Sequence, residues 1–311
     1  MDLENLRKTI PELRITENAD MAEHCSFKAG GHAAALIEVS DIEQLRGLLK
    51  YITENDIKHL MLGNGTNTLF DDGVYEGLVI KLDDESEDFN FFNVIEEGDG
   101  LVEVGAAMSL TAASRAAAEP NKLSGMEGLS GIPGSVGGAV FMNAGAYGYE
   151  MKDILVSAHA VSPDGKDEKD FMLEEIAPGY RRSAFMDNGY IITSAVLKLN
   201  RDELSEIKAR MADFTERRVT KQPLRYPSAG STFKRPEGYF AGKLIEDAGL
   251  KGLTVGGAQV SQLHAGFVIN TGGATATDIL ELIALVQDTV WDKSGVRLEP
   301  EVRIIETDHE L

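Results

Sequence analysis

With 311 residues, 43% of them hydrophobic and 26% charged, the chain can bury a sizeable core and has the balance of a soluble globular protein, which excludes disorder and fibre. Its formal net charge of −21 argues against general binding to nucleic acid or a membrane surface, and its single cysteine, Cys25, excludes an internal disulfide or a cysteine-rich metal site, as in a reducing cytoplasm. No apolar run of about 18 residues is present and Met1-Asp2-Leu3-Glu4 does not open a secretory signal, so the expectation is a cytoplasmic protein without a membrane span.

Taken in order, Leu36 to Val39 reads as a strand, and Ser40-Asp41-Ile42-Glu43 is a capping pattern that opens a helix through about Glu54. Ile57 to Leu62 is a second strand, completing a β-α-β, and delivers the chain into Gly63-Asn64-Gly65-Thr66-Asn67-Thr68. A glycine loop at the carboxyl end of a strand offers backbone N–H groups to phosphate oxygens. This one is neither GxGxxG nor a P-loop, and its Asn-Gly pair is also consistent with an ordinary turn.

Gly77 to Leu82, Asn90 to Ile95 and Leu101 to Gly105 read as short strands, and Ser109 to Glu119 as an alanine-rich helix. Ser124 to Gly148 follows, with glycine on every third residue at Gly125, Gly128, Gly131, Gly134 and Gly137, then at Gly138, Gly145 and Gly148. The run is too short and too poor in proline for a collagen-like helix. Such density belongs where the backbone takes positive φ or something approaches it closely. The approaching group is read as a ligand, with a structural glycine-rich loop as the alternative.

Ile154 to Val161 and Tyr190 to Leu199 alternate as strands, with the turn Ser162-Pro163-Asp164-Gly165 after the first. Asp202 to Arg218 is helical and Lys221-Gln222-Pro223 breaks it. Tyr226 to Pro236 is another irregular, ligand-like loop. Ile279, Leu282, Ile283, Val286 and Val290 place a helix over Thr277 to Lys293, stopped by Ser294-Gly295, and Leu298 to Val302 closes the last unit. Between Arg201 and Lys243, ten Lys and Arg face six Asp and Glu, a net +4 that leaves −25 for the rest of the chain. That contrast suggests an anionic small ligand, although Lys208, Arg217 and Arg218 fit a solvated helix face better.

The two glycine loops together, Gly63 to Thr68 and Ser124 to Gly148, resemble the flavin-binding region of the UDP-N-acetylenolpyruvoylglucosamine reductases, also called UDP-N-acetylmuramate dehydrogenases. Tyr180-Arg181-Arg182-Ser183-Ala184-Phe185, Ala229-Gly230-Ser231-Thr232-Phe233-Lys234, Ala241-Gly242-Lys243-Leu244-Ile245-Glu246 through Gly249-Leu250-Lys251-Gly252, and Leu298-Glu299-Pro300-Glu301-Val302 resemble that family's later motifs in the same order. The likeness runs from about Phe27 to Ile305. The short interval from Phe185 to Tyr190 lacks the tyrosine-bearing insertion of some members, which marks the shorter subtype.

This resemblance implies an α+β fold: a two-part FAD-binding region of the vanillyl-alcohol-oxidase-like type, residues 1–65 and 66–205, and a third, α/β substrate-binding domain, 206–311, whose C-terminal end can return to the FAD-binding region. It implies non-covalent FAD, NADPH as reductant and UDP-N-acetylglucosamine enolpyruvate as the acceptor, reduced to UDP-N-acetylmuramate for peptidoglycan. No metal, nucleic acid, membrane or obligate protein partner is implied. In the family's scheme the reduced flavin gives hydride to the methylene carbon of the enol ether, and negative charge develops on the adjacent carbon and its carboxylate.

Carried over residue by residue, the resemblance makes Ser231 the proton donor and puts Arg181 and Glu301 beside the substrate carboxylate. The types suit the chemistry. An enolate is a strong base that a hydroxyl can protonate, and arginine offers paired, always-charged donors to carboxylate oxygens. A glutamate beside that anion is expected to sit protonated in a poorly solvated pocket and to donate a hydrogen bond. The implied cofactor residues are Gly63, Asn64, Gly65, Thr66, Asn67, Gly131, Ile132, Pro133, Gly134, Ser135, Gly137, Gly138, Asn143, Gly145 and Ala146. For substrate they are Tyr180, Lys221, Arg225, Lys234 and Arg235, the last standing where the family often has asparagine.

Outside the resemblance, Ser231 reads as a turn or cap, Glu301 as a strand-end charge, Arg181 or Arg182 as a loop ion pair, and Tyr226 as packing. His264 is given no role. A related flavoprotein oxidase or dehydrogenase would keep the glycine loops without needing Ser231, Arg181 and Glu301 together. A flavin- or nucleotide-sugar-binding module would bind without turnover.

Overall fold

In the computed structural model, which describes residues 2–96 and 100–310, side-chain caps fix the ends of the main helices. Strands β1 (Arg14–Asp20) and β2 (His32–Val39) precede helix α1 (Ile42–Glu54). Asp41, not Ser40, is the cap: it accepts the Gln44 N–H at 2.8 Å, and Gln44, not Glu43, reaches back to the Ser40 N–H at 3.0 Å, so α1 starts one residue later than the Ser40–Glu43 pattern places it. Then come β3 (His59–Met61), β4 (Thr68–Phe70), β5 (Gly73–Leu82), β6 (Phe92–Glu96) and β7 (Leu101–Gly105). Helix α2 (Leu110–Ala118) is capped by Ser109, and α3 (Val136–Met142) by Ser135. Strands β8 (Leu155–Val161), β9 (Glu168–Met172) and β10 (Ile191–Lys198) lead to the long helix α4 (Leu204–Lys221). The last part holds α5 (Ala241–Asp247), β11 (Ala258–Val260), β12 (Val268–Asn270), α6 (Ala276–Ser294) and β13 (Arg303–Ile305). A reciprocal Thr275–Asp278 box opens α6, and Gly295, at φ 68°, ends it. The mixed content is α+β.

By contact the chain divides into two interleaved units: Met1–Thr16, Leu36–Gly63 and Gly77–Glu216 in the first, and Glu17–Ala35, Asn64–Glu76 and Arg217–Leu311 in the second. The chain changes unit inside β1, β2, β5 and α4 and within the first glycine loop.

The first unit is built on an antiparallel sheet in the order β9-β8-β10-β7-β6. Alternation along its strands buries Val102, Val104, Ala158, Ala160, Ala195 and Leu197 on one face. The opposite face carries Glu103, His159, Ser194, Glu168 and Asp170, with His159 held between Asp170 at 2.8 Å and Glu168 at 3.0 Å. Also in this unit, β3 runs parallel to β5, and β5 pairs with β2 as well, so the two strands of the expected β-α-β have β5 as a common partner.

The core of the second unit gathers residues from all three of its segments: Phe27, Leu69, Phe233, Ile245, Val260 and the α6 stripe Ile279, Leu282, Ile283, Val286 and Val290. That stripe follows the expected 3.6-residue spacing and is at most 3% exposed. Each such side chain contributes about 1.5–3 kcal/mol by leaving water. Strand β13 pairs in parallel with β4, bringing Arg303 opposite Thr68.

In the first unit, a buried carboxylate ties α4 to the segment that opens the glycine-rich stretch. Glu127 is 2% exposed and accepts from the Gly125 N–H at 2.7 Å, the Ser124 hydroxyl at 2.8 Å and Arg210 of α4 at 2.7 Å. Burial alone would raise its carboxyl, but the Gly125 N–H, Arg210 and Ser124 outweigh burial and hold it below the usual range. Phe214, one turn further along α4, stacks on Tyr147 and meets the edge of Tyr149.

Arg210→Met leaves Glu127 buried without its cation. The expected cost is about 2–3 kcal/mol, below that of a fully enclosed pair because Arg210 is one-third exposed. Urea unfolding measures it, and a loss under about 0.5 kcal/mol would mean that Ser124 and Gly125 suffice. Because the carboxyl is held low, this stabilisation is complete above the ordinary value of 4.5 and is lost as pH falls through the lowered one. The gap between wild type and variant therefore closes in acid.

Candidate functional site

Gly63 to Thr68 leaves β3 as an irregular turn. Gly65 has φ +62°, and a Cβ there would stand 1.9 Å from the His24 carbonyl, so only glycine fits. Among the described residues none accepts the N–H groups of Asn64, Gly65 or Thr66. Three successive donors around a left-handed residue form the kind of concavity that holds an anionic oxygen, so this loop fits the diphosphate of FAD. Asn67 is engaged instead: its Nδ2 donates to the Glu301 carbonyl at 3.0 Å and its own carbonyl accepts the Arg303 N–H.

The long glycine stretch in the first unit is held by its own chain. The Ile132 N–H donates to Leu129, the Gly134 carbonyl accepts from Leu110, and the Gly137 N–H donates to Ala106 at 2.9 Å. Ser135 accepts the Gly138 N–H at 3.3 Å and lies beside Gly63, whose hydrogen leaves room for the hydroxyl. A Cβ on Gly128 would enter the Tyr149 ring, at 2.5 Å from Cδ2. What approaches the backbone at Gly128 is therefore a side chain of this protein, a correction to reading the whole glycine triplet series as ligand space. Gly131 and Pro133 lie in the same turn-rich segment ahead of α3.

Asn143 ends α3 in the left-handed conformation, at φ 42°. Its side chain is fully engaged within the unit: Nδ2 donates to Glu150 and to the Gly179 carbonyl, and Oδ1 accepts the Lys152 N–H. Gly145 and Ala146 pair with Glu150 and Tyr149 across a hairpin. Arg181, itself at φ 54°, directs its guanidinium to the Asn143 and Gly145 carbonyls, at 3.5 and 3.2 Å. Tyr180, half exposed, lies 5.0 Å from that guanidinium. The adjacent Arg182 forms an exposed ion pair with Asp187 at 2.8 Å, so of the two arginines it is Arg181 that faces the glycine-rich loop.

Ser231 and Glu301 belong to the second unit and stand on neighbouring segments. The Glu301 N–H donates to the Thr232 carbonyl at 2.8 Å, the Lys234 N–H donates to Glu299 at 2.8 Å, and Phe233 bridges to Pro300. Ser231 is exposed and follows Gly230, at φ +74°, while Thr232 is fully buried. The structure thus brings Ser231, Glu301 and Asn67 together in one unit, and Arg181, Asn143, Gly145, Ser135 and Gly63 together in the other.

Lys221 ends α4 and Arg225 lies just beyond it, both exposed. Lys234 pairs with Glu299 at 3.2 Å, and Arg235 lies over the Phe240 ring at 3.9 Å. Thr232, which joins Ser231 to Glu301, and Asn67, as a tether for Glu301, are contributions that the sequence reading missed. Among the described residues no helix is long and apolar enough to cross a membrane, and no cluster of His, Cys, Asp and Glu could hold a metal ion.

Residues 33–168 match the family model described as FAD binding domain, and residues 222–305 match that of the UDP-N-acetylenolpyruvoylglucosamine reductase C-terminal domain. The UDP-N-acetylenolpyruvoylglucosamine reductase of Clostridium perfringens (strain SM101 / Type A) is 48% identical over 294 residues, 94% of each chain. That of Clostridioides difficile (strain 630) is 45% identical over 98% of this chain and 97% of its own. Among solved structures, UDP-N-acetylenolpyruvylglucosamine reductase from Thermus caldophilus matches with a TM-score of 0.79 at 35% identity, over 94% of this chain and 99% of that one. With such identity sustained from end to end, the chain belongs to the UDP-N-acetylenolpyruvoylglucosamine reductase family.

Proposed function

We propose that this chain is an FAD enzyme that reduces UDP-N-acetylglucosamine enolpyruvate to UDP-N-acetylmuramate with electrons from NADPH, a cytoplasmic step in making peptidoglycan precursors. Family membership over nearly the whole length supports the reductase reading, and the matched FAD binding domain supports the cofactor. The observation that supports the mechanism is the Thr232–Glu301 backbone bond, which joins the short segments that carry Ser231 and Glu301.

The N–H groups of Asn64 to Thr66 and the loops 131–138 and 143–146 would hold FAD without a covalent bond. When bound, FAD would supply the two-electron redox chemistry between NADPH and the enol ether. The protein's own task is then electrostatic and protonic. Ser231, exposed on its loop, donates a proton to the carbon next to the carboxylate, where the developing enolate is basic enough to take it from a hydroxyl. Arg181, held by two carbonyls in a strained left-handed backbone, is the fixed charge that would offset the growing negative charge. Glu301, tethered through Asn67 and Thr232, helps to orient the same carboxylate.

Lys221, Arg225, Lys234 and Arg235 take the substrate diphosphate, with Lys234 exchanging Glu299 for it, and Tyr180 flanks the carboxylate site. On this reading residues 1–65 and 66–205 serve FAD and 206–311 serve the substrate.

Anaerobic reduction of the flavin by NADPH, followed by mixing with UDP-N-acetylglucosamine enolpyruvate, is expected to restore the oxidised absorbance promptly. A flavin reduced but not reoxidised by this acceptor would point to a different oxidoreductase, and a protein unable to take up FAD would sink the reading of both loops. Ser231→Ala is expected to accept electrons from NADPH but to be reoxidised by substrate about 10²–10⁴-fold more slowly. Fast reoxidation in that variant removes Ser231 from the mechanism. Gly65→Ala is expected to purify with little FAD, measured by absorbance at full folding by circular dichroism; full occupancy would show that the loop tolerates a Cβ.

A further inference from the structure

The turn between β11 and β12 is held from inside. Ser261 is buried, its hydroxyl accepts the N–H groups of Leu263 and His264 at 3.2 and 3.3 Å, and its own N–H donates to Phe267. His264 Nδ1 accepts the Gly266 N–H at 3.1 Å, and the ring meets Phe267 edge-on at 5.0 Å. A Cβ on Gly266 would lie 3.0 Å from His264 Cε1, so the imidazole sits directly on the glycine backbone. An Nδ1 that accepts leaves the ring proton on Nε2, the neutral tautomer.

This turn touches the strand of the proposed proton donor. The Gly266 carbonyl accepts the Thr232 N–H at 2.8 Å, and the Val268 N–H donates to Thr232 Oγ1 at 2.8 Å. The third bond of Thr232 runs from its carbonyl to the Glu301 N–H. A chain of hydrogen bonds therefore joins His264 to Gly266, Gly266 to Thr232, and Thr232 to Glu301, with Ser231 one residue away.

We propose that His264 is a positioning residue for Ser231: its neutral ring holds the Gly266 carbonyl where it receives the Thr232 N–H, and protonation at Nδ1 releases that hold. This rests on Ser231 being the proton donor of the proposed reaction. A protonated imidazole presents N–H to N–H at Gly266, so the acceptor is lost and the contact becomes repulsive. Burial pushes His264 below its ordinary 6.5, with its own backbone carbonyl opposing, Lys251 lowering it further and Glu246 opposing. Lys251 and Glu246 are paired with each other at 2.7 Å, and no other residue of the 261–267 turn titrates. Neutral at pH 7, His264 is poised to fail only in acid.

The test uses the FAD-loaded full chain in two arms. In the first, an NMR titration follows the His264 ring and the amides of Gly266 and Thr232. Both amides are expected to shift with the midpoint of His264, below 6.5. Amides indifferent to that ionisation overturn the proposal, whether or not the enzyme turns over its proposed substrate. In the second, reoxidation of the reduced enzyme by UDP-N-acetylglucosamine enolpyruvate is followed against pH.

Wild type is expected to slow about tenfold per pH unit below the His264 midpoint. His264→Asn, which sets a non-titrating carbonyl oxygen near the Nδ1 position, should abolish that acid limb while keeping the rate above it. His264→Phe should lower the maximal rate about 10²-fold with little change in KM. An acid limb that persists in His264→Asn overturns the proposal, since a merely structural histidine would change stability and leave the pH profile in place. Absence of all turnover in wild type would instead strike the functional reading, with the amide titration still deciding the positioning role.

Discussion

The main-chain hydrogen bonds of Thr232 are the constraint on which the second unit's site depends. Its N–H is spoken for by Gly266 and its carbonyl by Glu301, while the hydroxyl takes the Val268 N–H. Buried backbone groups must be paired, so a fully buried residue with every polar atom engaged has one conformation open to it. The neighbouring Ser231 inherits that definition while its own side chain stays in solvent. An exposed hydroxyl can thus be precise in position, because precision is stored in the residue beside it.

A different solution serves Arg181. Asn143, Tyr147 and Arg181 itself are non-glycine residues at positive φ. Such conformations cost of order 1 kcal/mol or more each and persist only where surrounding contacts over-determine them. The Asn143 side chain supplies such contacts with three hydrogen bonds, and Phe214 of α4 supplies another by stacking on Tyr147. The buried Glu127–Arg210 pair anchors the same helix, so a long solvated helix acts as a brace for a strained loop.

Local structure was legible in the sequence wherever a short-range rule governed it. Ser40 to Glu43 announced α1 to within a residue, the alanine-rich run from Ser109 announced α2, and the Ile279–Val290 stripe with Ser294-Gly295 delimited α6, because caps, composition and helical spacing act within a few residues. The two glycine loops and the later motifs announced the family by their order. The wiring between them was not legible. Asn67 meets Glu301 across 234 positions, Arg210 meets Glu127 across 83, and β5 takes both β2 and β3 as partners, none of which leaves a local trace. Gly128 shows the same limit from the other side: its composition signals a close approach, but not that the approaching group is Tyr149.

The core of the second unit draws Phe27 and Leu69 against residues between Phe233 and Val302. During synthesis the N-terminal members emerge from the ribosome long before the α6 stripe that shares their core. At about 5–20 residues per second the wait from Phe27 to Ile279 is on the order of ten to fifty seconds. For that interval two large apolar side chains lack the later part of their native core, so the interleaved chain path delays burial of residues made early.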